Sequence, residues 1–414
     1  MKPTTKKALA VIVAFGAVAA ACGSDDDTAT EPASTDEATE ATTAEATEDT
    51  AAETTDDMAT EGTAAEGDAV CPQNLVIQTD WWPESEHGGT YQLIGEGGEA
   101  DASLFTYSGP IDPAYAVGGI ETVEIRAGGD AIEFQPVSAV MMTDQDITLG
   151  YVNTDDAIQS SPTVQVTAVA ATLEINPQMF MWDPEQLDID LENPESIKAT
   201  GARLLHFGEA TYVDWMIAEG YLDESQSDPN YGGAPDQWIA DGGNFMQQGF
   251  ATNEVFKYEN LIEWKDGAPA PIDYDIIHEL GWQPYPAAYS VLTDRLEELS
   301  PCLELLVPVL QQAWVDYLAD PAPIGDAIIG ITEVYNNYWT LTPELNAQAF
   351  ELFESDGYGT NGPDETYGNF DPERIQTLFD DFGGILENRG ITLPDGFTAE
   401  SVYTNEFIDE SIGR

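Results

Sequence analysis

The sequence is short of positive charge. Its 414 residues hold 12 Lys and Arg against 77 Asp and Glu, a formal charge of −65 at neutral pH. A surface of that sign repels phosphate and excludes nucleic acid as a partner. Histidine and cysteine are scarce as well, three of each. His87, His206 and His278 are scattered, and no His-Glu-x-x-His or Cys-x-x-Cys spacing occurs, so no metal site is expected. Asp356–Asp364 (DGYGTNGPD) has the glycine of a calcium loop without its acidic ladder or closing glutamate, and reads as a turn. No Gly-x-Ser-x-Gly elbow or phosphate-binding loop is present, so no catalytic residue and no cofactor are assigned.

What is present begins with an export signal. Lys2, Lys6 and Lys7 precede an apolar run of 14 residues, Ala8–Ala21, too short to span a bilayer. The run ends Val18-Ala19-Ala20-Ala21-Cys22-Gly23, the pattern of a lipoprotein signal peptide (1–21) with Cys22 as the lipidated residue. Ala19 stands where a leucine is usual, and a plain secretory signal is the other reading. Two acyl chains on Cys22 would suffice for stable anchoring to the outer face of the cell membrane. Residues 23–70 hold 16 acidic side chains, no basic ones and no aromatics. No core can form from them, so 22–70 is expected to be a disordered, self-repelling tether.

From residue 71 onward the chain carries 61 acidic and nine basic side chains, a charge near −52 on one body. Its lysines number three (Lys198, Lys257, Lys265), a bias suited to a surface kept hydrated in salt. With Cys22 lipidated, Cys71 and Cys302 remain as an even pair in an oxidising compartment, which points to a disulfide; two separate buried thiols are the alternative. Strand-like runs at Val123–Arg126, Ile147–Val152, Val164–Leu173, Ala202–Phe207 and Ala288–Leu292 alternate with helical patterns, which predicts α/β architecture with largely parallel pairing. Asn193-Pro194-Glu195 and Asp371-Pro372-Glu373 read as helix starts, and Cys302–Leu318 as a helix kinked at Pro308. The length exceeds one core, so two lobes are expected, with the chain leaving the first after Leu173 and returning through Tyr285–Leu292. That places lobe 1 at about 71–173 and 287–414 and lobe 2 at about 174–286, with a ligand cleft at the hinge.

The most informative stretch is Leu75–Gln92, LVIQTDWWPESEHGGTYQ. An apolar strand runs into Asp80, Trp81 and Trp82, a Pro83 turn, then His87, and Gly88-Gly89 lets the backbone come close to whatever sits there. This stretch resembles the opening motif of the NMT1/THI5-like (SsuA/THI5-type) family of solute-binding proteins. Gly128-Gly129, Ile147–Tyr151, Gly208–Thr211 and Gly249–Glu254 follow in that family's order. An acidic, Gly-rich insertion (Gly95–Gly109) departs from the family pattern. The resemblance implies a two-lobed type II periplasmic-binding-protein-like fold with mixed sheets and two hinge crossings. It also implies the substrate-binding component of an ABC importer, partnered by a membrane permease with its ATPase. Members of the family serve uptake of thiamine pyrimidine precursors, and wider relatives serve sulfonate, taurine and nitrate. Some intracellular relatives instead synthesise the pyrimidine with pyridoxal phosphate, a role that export argues against.

Candidate ligand contacts are Asp80, Trp81, Trp82, His87, Tyr151, Asn153, Gly208, Thr211, Tyr212, Glu254 and Tyr285. Several have a structural alternative. Adjacent Trp81 and Trp82 point opposite ways, so at most one faces the ligand. His87 and Thr211 could cap helices, and Glu254 could be a solvated carboxylate. Aromatic surface with little basic charge suits a neutral or cationic flat heterocycle, of which a thiamine pyrimidine precursor is one. A sulfonate or nitrate would want arginine, and only Arg126 and Arg203 lie near the expected cleft loops. The protein is expected to act as a monomer. Its charge predicts that the melting temperature rises as NaCl is added; a protein most stable without salt would refute the surface reading.

Overall fold

The computed structural model describes residues 69–414, so the signal-peptide, Cys22 and tether expectations lie outside the described residues. The first sheet is built from β1 (Asn74–Gln78), β2 (Glu99–Asp101), β3 (Thr106–Pro110), β4 (Thr122–Arg126), β5 (Leu149–Val152) and β6 (Val166–Ala170). The second is built from β7 (Gln178–Trp182), β8 (Leu204–Leu205), β9 (Ser227–Asp228), β10 (Met246–Phe250) and β11 (Asp273–Ile276). The chain then returns to the first sheet as β12 (Ala288–Leu292), giving the orders β2-β3-β4-β1-β5-β12-β6 and β11-β7-β10-β8-β9. The body is therefore two-lobed α/β, and the chain crosses between its sheets twice.

Pairing is mixed rather than largely parallel. β1 runs parallel to β4 and β5, whereas the β2–β3 hairpin and the returning β12 pair antiparallel. The hairpin is the Gly95–Gly109 insertion, which lengthens one edge of the first sheet. β12 runs against its neighbours because the second crossing brings it into the sheet from the opposite end. The run Val164–Leu173 forms a shorter strand than predicted, because its end already belongs to the crossing. Ala171 N donates to Gly368 O at 2.8 Å and Glu174 N to Tyr358 O at 2.9 Å.

Of the twelve α-helices among the described residues, seven position the site and the crossings: α1 (Thr154–Ser160), α2 (Thr211–Glu219), α3 (Glu254–Asn260), α4 (Leu296–Ala319), α5 (Ala322–Tyr335), α6 (Pro343–Ser355) and α7 (Pro372–Asn388). α4 continues through both Pro301 and Pro308, burying Leu303, Leu306, Val307, Leu310, Trp314 and Tyr317. Asp371 caps α7, its carboxylate accepting from Glu373 N at 2.8 Å, and Ile375, Leu378, Phe382 and Leu386 form the buried stripe. α7 packs on α1 of the first lobe and on α2 of the second.

Arg374, at the start of α7, binds both crossings. Its Nε donates to Gln283 O at 2.7 Å and Nη2 to Pro284 O at 2.8 Å, both on the return path. Nη1 donates to Glu174 O at 2.9 Å and to Glu174 Oε1 at 3.0 Å on the outward path. The guanidinium also lies 3.7 Å from the Tyr285 ring centroid. A planar five-donor fork can make this set of bonds, and an ammonium cannot.

Cys71 and Cys302 form a disulfide with their Cα atoms 4.8 Å apart. It joins the segment leading into β1 to α4. Gly118 makes room for it: its φ is +60°, and a Cβ there would come within 2.5 Å of the Cys71 sulfur. The bridge spans 231 residues, which in the chain-entropy account contributes up to about 5 kcal/mol. Replacing both cysteines by serine is expected to lower the unfolding free energy in urea by several kcal/mol, and an unchanged value would contradict that assignment.

Candidate functional site

The site is assembled where β1 ends. The Gln78 amide donates to Thr79 O at 2.9 Å and to Ala127 O at 3.0 Å, which holds the turn after β1 against the loop after β4. Gly128 fits flat on Asp80, where a Cβ would come within 2.3 Å of the backbone. The two tryptophans then diverge. Trp81 turns toward the second lobe, its ring 5.3 Å from Phe207, 5.7 Å from Trp339 and 6.1 Å from Phe134. Trp82 is buried in the first lobe, donating from Nε1 to Asp130 Oδ1 at 2.7 Å with its ring 5.0 Å from Phe105.

After Pro83 comes an ionisable segment, Glu84 to His87. His87 is 1% exposed; its Nε2 lies 3.1 Å from Asp80 Oδ1 and 3.6 Å from Glu84 Oε1, and its ring stands edge-on to Tyr151. Its Nδ1 is buried without a hydrogen-bond partner. Glu86 accepts from the Thr252 hydroxyl of the second lobe, so the two lobes touch here through a buried carboxylate. Next to Thr252, Asn253 is 1% exposed and its Oδ1 also lacks a partner. Glu254 accepts from Phe250 N at 2.7 Å. One turn further along α3, the Lys257 ammonium lies 3.8 Å from the Trp339 ring centroid, and Trp339 Nε1 in turn donates to Pro83 O at 3.2 Å.

Burial dominates the electrostatics of this seam. It pushes the Glu84 carboxyl well above the usual range, with Glu86, Asp80 and Glu254 adding to the shift. Burial also raises Glu86, against its Thr252 hydrogen bond, and raises Glu254, against the nearby Lys257 charge. Lys257 is lowered by the same burial, opposed by Glu254, Glu84 and Glu86. Four carboxyls thus converge on one ammonium and one imidazole, which attracts a positive or proton-donating group.

The other predicted residues are spread over three layers. The Tyr151 hydroxyl lies beneath His87, bonded to Thr90, which also reaches Tyr289. Tyr212 donates to Gln248 Oε1 at 3.1 Å, and Gly208 faces open space beside Phe207. Thr211 does not cap α2; its hydroxyl donates to Asp155, which also accepts from Trp282 Nε1 at 3.0 Å. Asn153 accepts from Ala287 N at 2.7 Å and donates to Asp156 at 2.9 Å, joining α1 to the return crossing. Tyr285 lies behind the cleft, accepting from Asp371 N at 2.9 Å beneath Arg374. The close approach expected at Gly88-Gly89 is made by the protein's own α4. Cβ atoms there would meet Tyr317 at 2.0 Å and Trp314 at 2.3 Å. Glu84, Glu86, Thr252, Asn253, Lys257 and Trp339 complete the seam and were not singled out from sequence. Arg126 is committed to Glu124 and Asp144, and Arg203 to Asp228 and Asp241.

No protein-family model matches the chain, and no curated protein does. Among solved structures, it is similar to a protein from Bordetella bronchiseptica RB50, at 12% identity and a TM-score of 0.51, over 81% of this chain and 96% of that one. It is also similar to the alkanesulfonate-binding protein SsuA from Xanthomonas axonopodis pv. citri bound to MOPS. That match has 12% identity and a TM-score of 0.50, over 80% of this chain and 99% of that one. The fold is that of the type II periplasmic binding proteins. In this fold the seam around Trp81 and His87 lies between the lobes, and among the described residues no helix is long and apolar enough to cross a membrane.

A carboxyl raised in the folded state costs stability as pH climbs from its unfolded value, near 4.5 for glutamate, toward its folded one. Glu84→Gln is therefore expected to raise the melting temperature at pH 8 and to change it little at pH 5. Equal destabilisation at both values would contradict the buried-charge account.

Proposed function

We propose that this chain is the extracytoplasmic substrate-binding component of an ABC importer, which captures a small solute by closing its lobes at the Trp81–His87 seam. The observation that carries the reading is the pairing, at an inter-lobe seam, of aromatic surface with two buried polar atoms that lack partners, His87 Nδ1 and Asn253 Oδ1. Unsatisfied buried atoms cost free energy, about 1–3 kcal/mol each, which a bound solute can recover. The fold supports the class of function, since proteins of this architecture include one that binds alkanesulfonate.

The solute that fits best is an aromatic N-heterocycle of the thiamine-pyrimidine-precursor type. Its ring would stack on Trp81, and an exocyclic amine would donate to the seam carboxylates. Sulfonate, taurine or nitrate would need a cation of their own in the seam; Arg126 and Arg203 are held elsewhere by carboxylates, and the Lys257 ammonium already lies in the field of Glu254, Glu84 and Glu86. The proposal includes a permease with its ATPase as partner, a lipid anchor at Cys22 and a monomeric binding protein without catalytic activity.

A thermal-shift screen of aminopyrimidines against taurine and nitrate tests this choice. Stabilisation by an aminopyrimidine alone is expected, and stabilisation by the anions alone would reverse it. Trp81→Ala should then weaken binding at least about tenfold with the fold intact, equivalent to roughly 1.4 kcal/mol.

A further inference from the structure

Nine Lys and Arg residues lie in the described part of the chain. Seven of them (Arg126, Lys198, Arg203, Lys265, Arg374, Arg389 and Arg414) form ion pairs. Arg295 donates to two backbone carbonyls, Gln145 O and Ile147 O, at 3.0 Å each. Lys257 alone makes neither an ion pair nor a side-chain hydrogen bond. In a protein with so many carboxylates this is not for want of acceptors. Its ammonium rests instead on the Trp339 indole, 3.8 Å from the centroid, while Glu84, Glu86 and Glu254 act on it through space.

The placement crosses the seam. Lys257 comes from α3 of the second lobe. Trp339 comes from the α5–α6 connection and is bonded to Pro83 beside the first-lobe acids. An indole face backed by carboxylates is a receptor for an organic cation. Two buried polar atoms nearby, His87 Nδ1 and Asn253 Oδ1, have no partner among the described residues. A site completed by its own side chain would be expected to satisfy them.

We propose that the seam is an organic-cation subsite and that Lys257 holds the cation's place in the ligand-free protein. The solute carries an ammonium or amidinium group that takes over the Trp339 face and the field of Glu84, Glu86 and Glu254, while its hydrogen-bonding edge meets His87 and Asn253. This rests on the reading of the seam as the solute site, and narrows it from neutral or cationic solutes to cationic ones. Lys257 is then a specificity-determining residue, since a neutral solute gains nothing by displacing it.

The test is rescue of a truncated side chain. Lys257→Ala leaves the carboxylates without their ammonium, so its melting temperature at pH 8 should fall. Millimolar propylammonium should raise it by about 3 °C more than propanol does at the same concentration and ionic strength. Wild type and Lys257→Arg, whose sites are filled, should show no such difference. Where the alanine variant does not fold, Lys257→Met, which keeps the apolar stem, takes its place in the same comparison. Equal responses to propylammonium and propanol, or an equal difference in wild type, would overturn the proposal. The heterocycle screen is read on wild type, so the two claims fail separately. Rescue without any heterocycle hit keeps the cation subsite, and a neutral heterocycle that binds without rescue removes it.

Discussion

The scarcity of cations constrains this molecule more than any other property. Beyond residue 70, 61 carboxylates face only nine basic side chains. Most of them sit where separate elements meet. Arg374 joins the two crossings, Arg389 on α7 reaches Asp214 on α2, and Arg414 ties the end of the chain to Glu354 on α6 and to Gly359 O. Lys265 holds the buried Asp183 at the end of β7. The remaining acids are left to water, where their mutual repulsion is screened by salt.

The exceptions are Asp155, buried between Thr211 and Trp282, and above all the acids at the seam. Burying several carboxylates together is costly, and folded proteins tolerate it where the charges will meet a partner or carry a proton. Here they surround a surface of large aromatic rings, and one ammonium, that of Lys257, lies on it. The lobes meet through polar contacts, Thr252 to Glu86 and Thr211 to Asp155, and through aromatic ones, Trp81 to Phe207 and Lys257 to Trp339, beside crossings braced by Arg374.

Much of the frame was legible in the chain, because its signals are local. The β-branched runs Val123–Arg126 and Ala288–Leu292 became strands, the Asp371-Pro372 start became the cap of α7, and the change of lobe fell near Leu173 and Tyr285. β7 and β10 were harder to see: QMFMW and MQQGF carry no alternation, since β7 and β10 are buried on both faces and read as apolar or amide-rich runs. Of the seam residues, those of the first-lobe motif and Glu254 stood out in the sequence. Trp81 and His87 announce themselves within one motif, but Lys257 and Trp339 are 82 residues apart and look ordinary in sequence. The glycine pair at 88–89 shows the limit of local reading. It does mark a close approach, and the approaching group is Trp314 and Tyr317 of α4, since a helix that buries two large rings needs a neighbour without side chains.

The disulfide sets the two lobes apart. Cys71 lies where the chain enters the folded body, and Cys302 lies on a 24-residue helix of the first lobe. The bridge therefore ties the segment that leads into β1 directly to α4. The first lobe thus carries a covalent clasp between its entry strand and its longest helix, whereas the second lobe has, among the described residues, no covalent tie beyond its two crossings.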